Sequence, residues 1–160
     1  MNTKPKHYHH FKGNNLTPSE RIERKVVQIL LTSKLPDKKR ESSVVFELKH
    51  SSECVQVVRI LAQKRKLNIA LSEAIAALHD INVIVNGTYK NHAALGAIIA
   101  KNILKNIAGF SANEIETICE AIKHHSEKNI YSDNPELSYR AYTSAILQHL
   151  LLNPSLPLLF

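Results

Sequence analysis

Apolar side chains recur every three to four positions along most of this chain. Nowhere do they alternate with polar ones over the length of a half-buried strand. The first periodic run shows Ile22, Val26, Ile29 and Leu30 on one helical face. It opens on Thr17-Pro18-Ser19-Glu20, a capping hydroxyl followed by proline at the first helical position and an acid in the first turn. Pro36 ends it, and Pro36-Asp37-Lys38-Lys39-Arg40 forms a charged turn. The spacing of Val44, Leu48, Val55, Val58 and Leu61 predicts a second, longer helix over 42–66, with Lys64-Arg65-Lys66 at its negative end. Leu71 to Asp80, LSEAIAALHD, is rich in helix formers and largely apolar, which predicts a buried central helix. Residues 82–90, around Asn86-Gly87, are expected to form a loop. A fourth helix is predicted over 91–107, with Gly109 as the left-handed residue beyond its end. Ser111-Ala112-Asn113-Glu114 is a capping box that opens a fifth helix reaching about His125. Residues 135–152 give a sixth, stopped by Pro154 and Pro157. The class is all-α, a single bundle of about six helices.

Composition adds bounds. At 160 residues, with 44% apolar and 22% charged positions, the chain has the length and balance of one globular domain. Residues 1–16 read as a flexible basic tail and 17–160 as the domain. No stretch approaches the ~20 consecutive apolar residues of a membrane-spanning helix. The formal charge is +7, from 21 Lys+Arg against 14 Asp+Glu. Lys4, Lys6 and Lys12 in the tail supply part of that excess. The balance favours anionic partners without choosing among them. Cys54 and Cys119 sit among apolar residues with no Cys-x-x-Cys, which points to buried, reduced thiols and a cytoplasmic protein. His7, His9 and His10 belong to the tail and are set apart from any site.

The remaining histidines carry the chemistry. Asp80 follows His79 at the end of the most apolar helix, where an ionised carboxylate is costly unless something compensates it. His50, His92 and the pair His124-His125 each lie on or near a predicted helix end, so several helices can project ligands inward. Imidazole with carboxylate is a donor set for Zn, Fe, Mn and similar ions. Each position also has a plainer reading: His79 as a core histidine, and His124-His125 as cations at a helix C-terminus. Adjacent residues on a helix point about 100° apart, so a neighbouring pair serves one site only at a helix end, or by reaching two ions. Spacing alone leaves both readings open.

The order of the residues says more. His50, then ALHDI with His79-Asp80, then NHAALGAIIAKNIL with His92 and Gly96, then AIKHHSEK with His124-His125, resembles the HD-domain superfamily of metal-dependent phosphohydrolases. The resemblance is strongest over 42–128. It implies an all-helical domain in which His50, His79 and Asp80 bind a first divalent metal ion. His92, His124 and His125, sharing Asp80, would bind a second. The ion could be Fe, Mn, Ni, Zn or Mg. Asp80 is then the central catalytic residue, and Lys123 and Arg59 are candidate phosphate contacts.

The chain departs from the family's pattern at the distant aspartate of the last helix. LSYRAYTSAILQHLLLNP contains no Asp: Ala145 falls at the expected position, Gln148 and His149 lie a turn further on, and Asp133 stands earlier, in a loop. The Gly-Lys that often follows His-Asp is replaced by Asn82-Val83. One bound ion is therefore expected rather than two. Two functions follow. One is a metal-dependent phosphohydrolase acting on a nucleotide or other small phosphate ester, favoured by the converging histidines. The other is a catalytically degenerate HD-like domain serving as a binding or regulatory module, favoured by the missing aspartate. The expected partner is a small phosphorylated substrate, with no membrane. Nucleic acid is a weaker third reading, since the interleaved aromatics that stack bases are lacking.

Overall fold

The computed structural model describes residues 15–126. These form α1 (Pro18–Thr32), a single 3-10 turn at Asp37–Lys39, α2 (Val44–Arg65), α3 (Ile69–Leu78), α4 (Ile81–Asn86), α5 (His92–Leu104) and α6 (Ala112–His124). No strand occurs among the described residues, and the all-α class holds. The tail histidines and the helix expected over 135–152 lie outside the described residues, and so do Asp133, Ala145, Gln148 and His149.

Both capping boxes form. Thr17 Oγ1 accepts from the Glu20 N–H at 3.2 Å while Glu20 Oε2 accepts from the Thr17 N–H at 2.8 Å. Ser111 and Glu114 repeat the exchange at 3.3 and 2.7 Å. Each box satisfies two donors that a helix start leaves unpaired. From Leu71 to Leu78 every residue of α3 is buried, and this helix packs against α1, α2 and α6. The stretch Ile69–Asn86 is as apolar as a membrane span (mean hydropathy 1.3), yet 78% of it is buried inside this fold, where it is the core.

Residues 82–86, expected in a loop, belong to the helix α4. Ile81, Val83 and Ile84 are fully buried, and that burial outweighs the turn signal downstream. Asn86-Gly87 acts instead as the stop. Gly87 lies at φ 73°, and its N–H donates to the Val83 carbonyl at 2.8 Å. Arg40, from the charged turn, donates to the Ile84 carbonyl at 3.0 Å and to Ser33 Oγ at 2.6 Å, so a cation covers the negative end of α4. Gly109 is left-handed as expected (φ 115°), but α5 ends earlier, at Leu104. A Cβ built on Gly96 would lie 3.5 Å from Ile122 Cγ2 and 3.6 Å from the His79 carbonyl, so α5 does run close against α6 and the end of α3.

Three helices share a polar tie. Glu73 of α3 is buried, pairs with Arg59 of α2, and accepts from Ser19 Oγ of α1 at 2.6 Å. Arg59 is thus committed to a buried carboxylate, against the expectation that it contacts phosphate. Releasing it would strand the Glu73 charge. Glu23 lies beside the tie with a buried Oε1 that has no hydrogen-bond partner. Burial and then the Glu73 charge raise its pKa from 4.5 to about 7, against the pull of Arg59. The folded value lies above the unfolded one, so the stability gained by protonation is present at low pH and is lost as pH rises through about 7. Glu23→Gln keeps the shape without the titration. It is expected to stabilise the fold by about 1–2 kcal/mol near pH 8, allowing for partial exposure, and to change little near pH 4. Urea melts at the two pH values check this, and equal effects at both would contradict it.

Candidate metal centre

The junction of α3 and α4 sets the centre. His79 closes α3 and Asp80 opens α4, with Asp80 at φ −103° and ψ 23°, outside helical geometry. This break lets two adjacent side chains address one place. Asp80 Oδ2 lies 3.0 Å from His79 Nε2 and 3.4 Å from His50 Nε2. Its other oxygen, Oδ1, lies 3.5 Å from both His92 Nε2 and His125 Nε2. Four imidazoles from α2, the end of α3, α5 and the end of α6 therefore surround one carboxylate. His50 Nε2 is 3.0 Å from His79 Nε2, and His92 Nε2 is 3.0 Å from His125 Nε2.

The outer nitrogens fix the tautomers. His79 Nδ1 meets the Ala76 carbonyl at 2.8 Å, His92 Nδ1 the Tyr89 carbonyl at 2.8 Å, and His125 Nδ1 the Ile122 carbonyl at 2.6 Å. A carbonyl only accepts, so in each case Nδ1 carries the proton and a neutral ring turns its Nε2 lone pair inward. Lone pairs of His92 and His125 then face one another, and that of His79 faces a carboxylate. Such an arrangement repels itself unless positive charge enters. Protons are one source. The Asp80 hydrogen bond and then Cys54 raise the His50 pKa to about 10, and the Asp80 charge raises that of His79 despite its burial. Burial would push Asp80 up, but the His79 charge and the bonds from His125, His50 and His79 hold its carboxyl far below the usual range.

A divalent cation is the other source, and the donors fit one. Ligand atoms of His50, Cys54 and His79 lie within 4.8 Å of one another, as do those of Asp80, His92 and His125. An ion bonded at about 2.0–2.1 Å to two nitrogens holds them close to the spacing seen. Carbonyl-anchored Nδ1–H groups are the usual outer support of ligating histidines. The residues cluster as a possible metal site.

The sequence pattern of the HD domain matches residues 48–151, well over half of the chain and across the whole cluster. The chain belongs to the HD domain family. No curated protein and no solved structure matches it.

Five of the six metal ligands implied for this HD domain, His50, His79, Asp80, His92 and His125, come together. The sixth is placed differently: among the described residues His124 Nε2 meets Glu120 Oε2 at 3.1 Å, one turn back on its own helix, rather than Asp80. Its neighbour His125 caps α6 and turns inward. Lys123 is exposed, 3.5 Å from Glu120. Three neighbours had not been singled out for the site. Cys54, read as a buried thiol, places Sγ 3.8 Å from His50 one turn along α2. Glu47, one turn before His50, is buried and accepts from the Tyr89 hydroxyl at 3.2 Å. Tyr89 packs edge-on to His92, with ring centroids 5.5 Å apart. Spacings of three or four residues from His50 and His92 were the available signal for all three.

Tyr89 is itself held. Its N–H donates to Glu41 Oε2 at 2.8 Å, and the Thr88 hydroxyl donates to Glu41 Oε1 at 2.7 Å. Asn91, left-handed at φ 53°, then turns the chain into α5, so that His92 begins the helix with its ring at the centre.

Proposed function

We propose that this HD domain is a metal-dependent phosphohydrolase acting on a nucleotide or other small phosphate ester. The observation that carries the reading is the convergence of four imidazoles on both oxygens of Asp80. A divalent cation held there supplies Lewis acidity toward a phosphoryl oxygen and lowers the pKa of a water beside it. The protein's own part is to hold Asp80 ionised and to aim the lone pairs before substrate arrives, which spares reorganisation during the reaction.

Exposure divides the site into a floor and a mouth. The side chains of His79 and His125 are 5% and 3% exposed, those of His50 and His92 21% and 18%. Substrate therefore approaches over His50 and His92. Phe46 stacks on His50 at 5.6 Å and Tyr89 stands edge-on to His92, both partly exposed. These two rings offer flat apolar surface to a base or ester group, and the net charge of +7 favours an anionic ligand.

The second reading, a degenerate HD domain that binds without hydrolysing, rests on the Asp-free sequence of residues 137–154. Metal analysis of the purified protein, followed by phosphate-release assays on a nucleotide and phosphomonoester panel with Mn²⁺, Ni²⁺ or Mg²⁺, separates the two. Metal-dependent release of phosphate is expected. Metal bound without turnover on any substrate supports the binding module, and no bound metal at all removes both the centre and the enzyme.

A further inference from the structure

Glu47 is 1% exposed and has no ion-pair partner among the described residues. Among the described residues its Oε1 accepts one hydrogen bond, from the neutral hydroxyl of Tyr89 at 3.2 Å, and its buried Oε2 has no hydrogen-bond partner. A carboxylate buried on such terms is costly, and buried charges are ordinarily paired or turned toward a metal. The other acids buried as whole residues among the described ones each have a use, and Glu23, whose carboxyl also has a buried oxygen, is only partly buried. Glu20 completes a helix cap, Glu73 pairs with Arg59, and Asp80 gathers the histidines. Glu47 has only its position: one helical turn before His50 on α2, and against the tyrosine whose carbonyl anchors His92.

Charge accounting at the centre points the same way. Four neutral imidazoles and Asp80 together carry one negative charge, which leaves a divalent ion half compensated in a largely buried place. Residues 137–154, where the family pattern usually supplies an aspartate, contain neither Asp nor Glu in this chain. We propose that Glu47 is the second anion of the metal centre, offsetting the cation through space without itself being one of the converging ligands. The inference rests on the metal reading above. It assigns Glu47 an electrostatic role: its charge, rather than its shape or its hydrogen bond, is what the centre uses.

The test compares wild type, Glu47→Gln and Tyr89→Phe by calorimetric titration of the metal-free protein with Mn²⁺ and with Zn²⁺, beside thermal melts without metal. Gln preserves size and can still accept from Tyr89, so only the charge is lost. Glu47→Gln is expected to weaken metal binding roughly 10–100-fold, the range for groups that support ligands from outside. Its metal-free melting temperature should hold or rise, because a buried charge has gone. Tyr89→Phe keeps the charge and the backbone carbonyl that anchors His92, and is expected to lose clearly less affinity than Glu47→Gln. Unchanged affinity in Glu47→Gln overturns the proposal while leaving the metal centre intact. Equal losses in both variants overturn it too, since the hydrogen bond would then be what matters. If Glu47→Gln does not fold, Glu47→Asp, which restores the charge on a shorter arm, must recover affinity that Glu47→Ala lacks. Wild-type protein that takes up neither metal fails at the earlier step, and that result is distinguishable from the others.

Discussion

Replacing Asp80 with alanine is expected to abolish metal binding while the helices stay in place. All four converging imidazoles meet at this one carboxylate, two on each oxygen. Without it the remaining donors are neutral and carry no charge to hold a dication. The loss should exceed the roughly 10–100-fold typical of an outer supporting group, and any phosphatase activity should go with it. The fold has little stake in the side chain. Asp80 makes no side-chain capping hydrogen bond. Metal content by atomic emission, with circular dichroism of the same sample, checks both halves. Full occupancy in Asp80→Ala would place the ion elsewhere.

The second large effect is expected in the opposite direction. Ala145 stands at the position where the last helix of an HD domain usually carries aspartate, and it lies outside the described residues. If the register is right, Ala145→Asp adds a second anion to the His50 and His79 side. Metal affinity should then rise about tenfold or more, with stoichiometry moving from one ion toward two. Parallel titrations of wild type and variant in one buffer decide it. Unchanged affinity and stoichiometry mean that the register is wrong, or that another group already supplies what the aspartate would.

Helix starts were legible because capping is local: Thr17 with Glu20, and Ser111 with Glu114, need nothing beyond their own turn. The end of the central helix near Asp80 was legible too, but the short helix after it was not: INVIVN leads into the Asn86-Gly87 turn signal, and its helical form goes with the burial of Ile81, Val83 and Ile84, which no local pattern announces. The clustering of His50, His79, Asp80 and His92 was legible from order and helix phase. Choosing between His124 and His125 was not, since neighbours at a helix end differ only in how the last residue swings. In the structure His125 Nδ1 finds the Ile122 carbonyl and turns inward, leaving His124 to Glu120. Glu47 is illegible for a related reason. A lone acid in a helical pattern reads as surface until the partner helices are in place.

Sharing Asp80 between its two oxygens also makes the two ligand groups compete. The charge that draws an ion to His50 and His79 is the same charge that would draw one to His92 and His125. The first dication to arrive more than offsets that single negative charge, and the second meets a centre already net positive, with a like charge a few ångströms away. On the metal reading proposed above, loading of two ions is expected to be anticooperative. Across a range of metal concentrations the protein is expected to dwell at single occupancy, with the full pair forming only when free metal is abundant. A phosphorylated substrate, itself an anion, would relieve that penalty, so ion number and substrate occupancy would be linked.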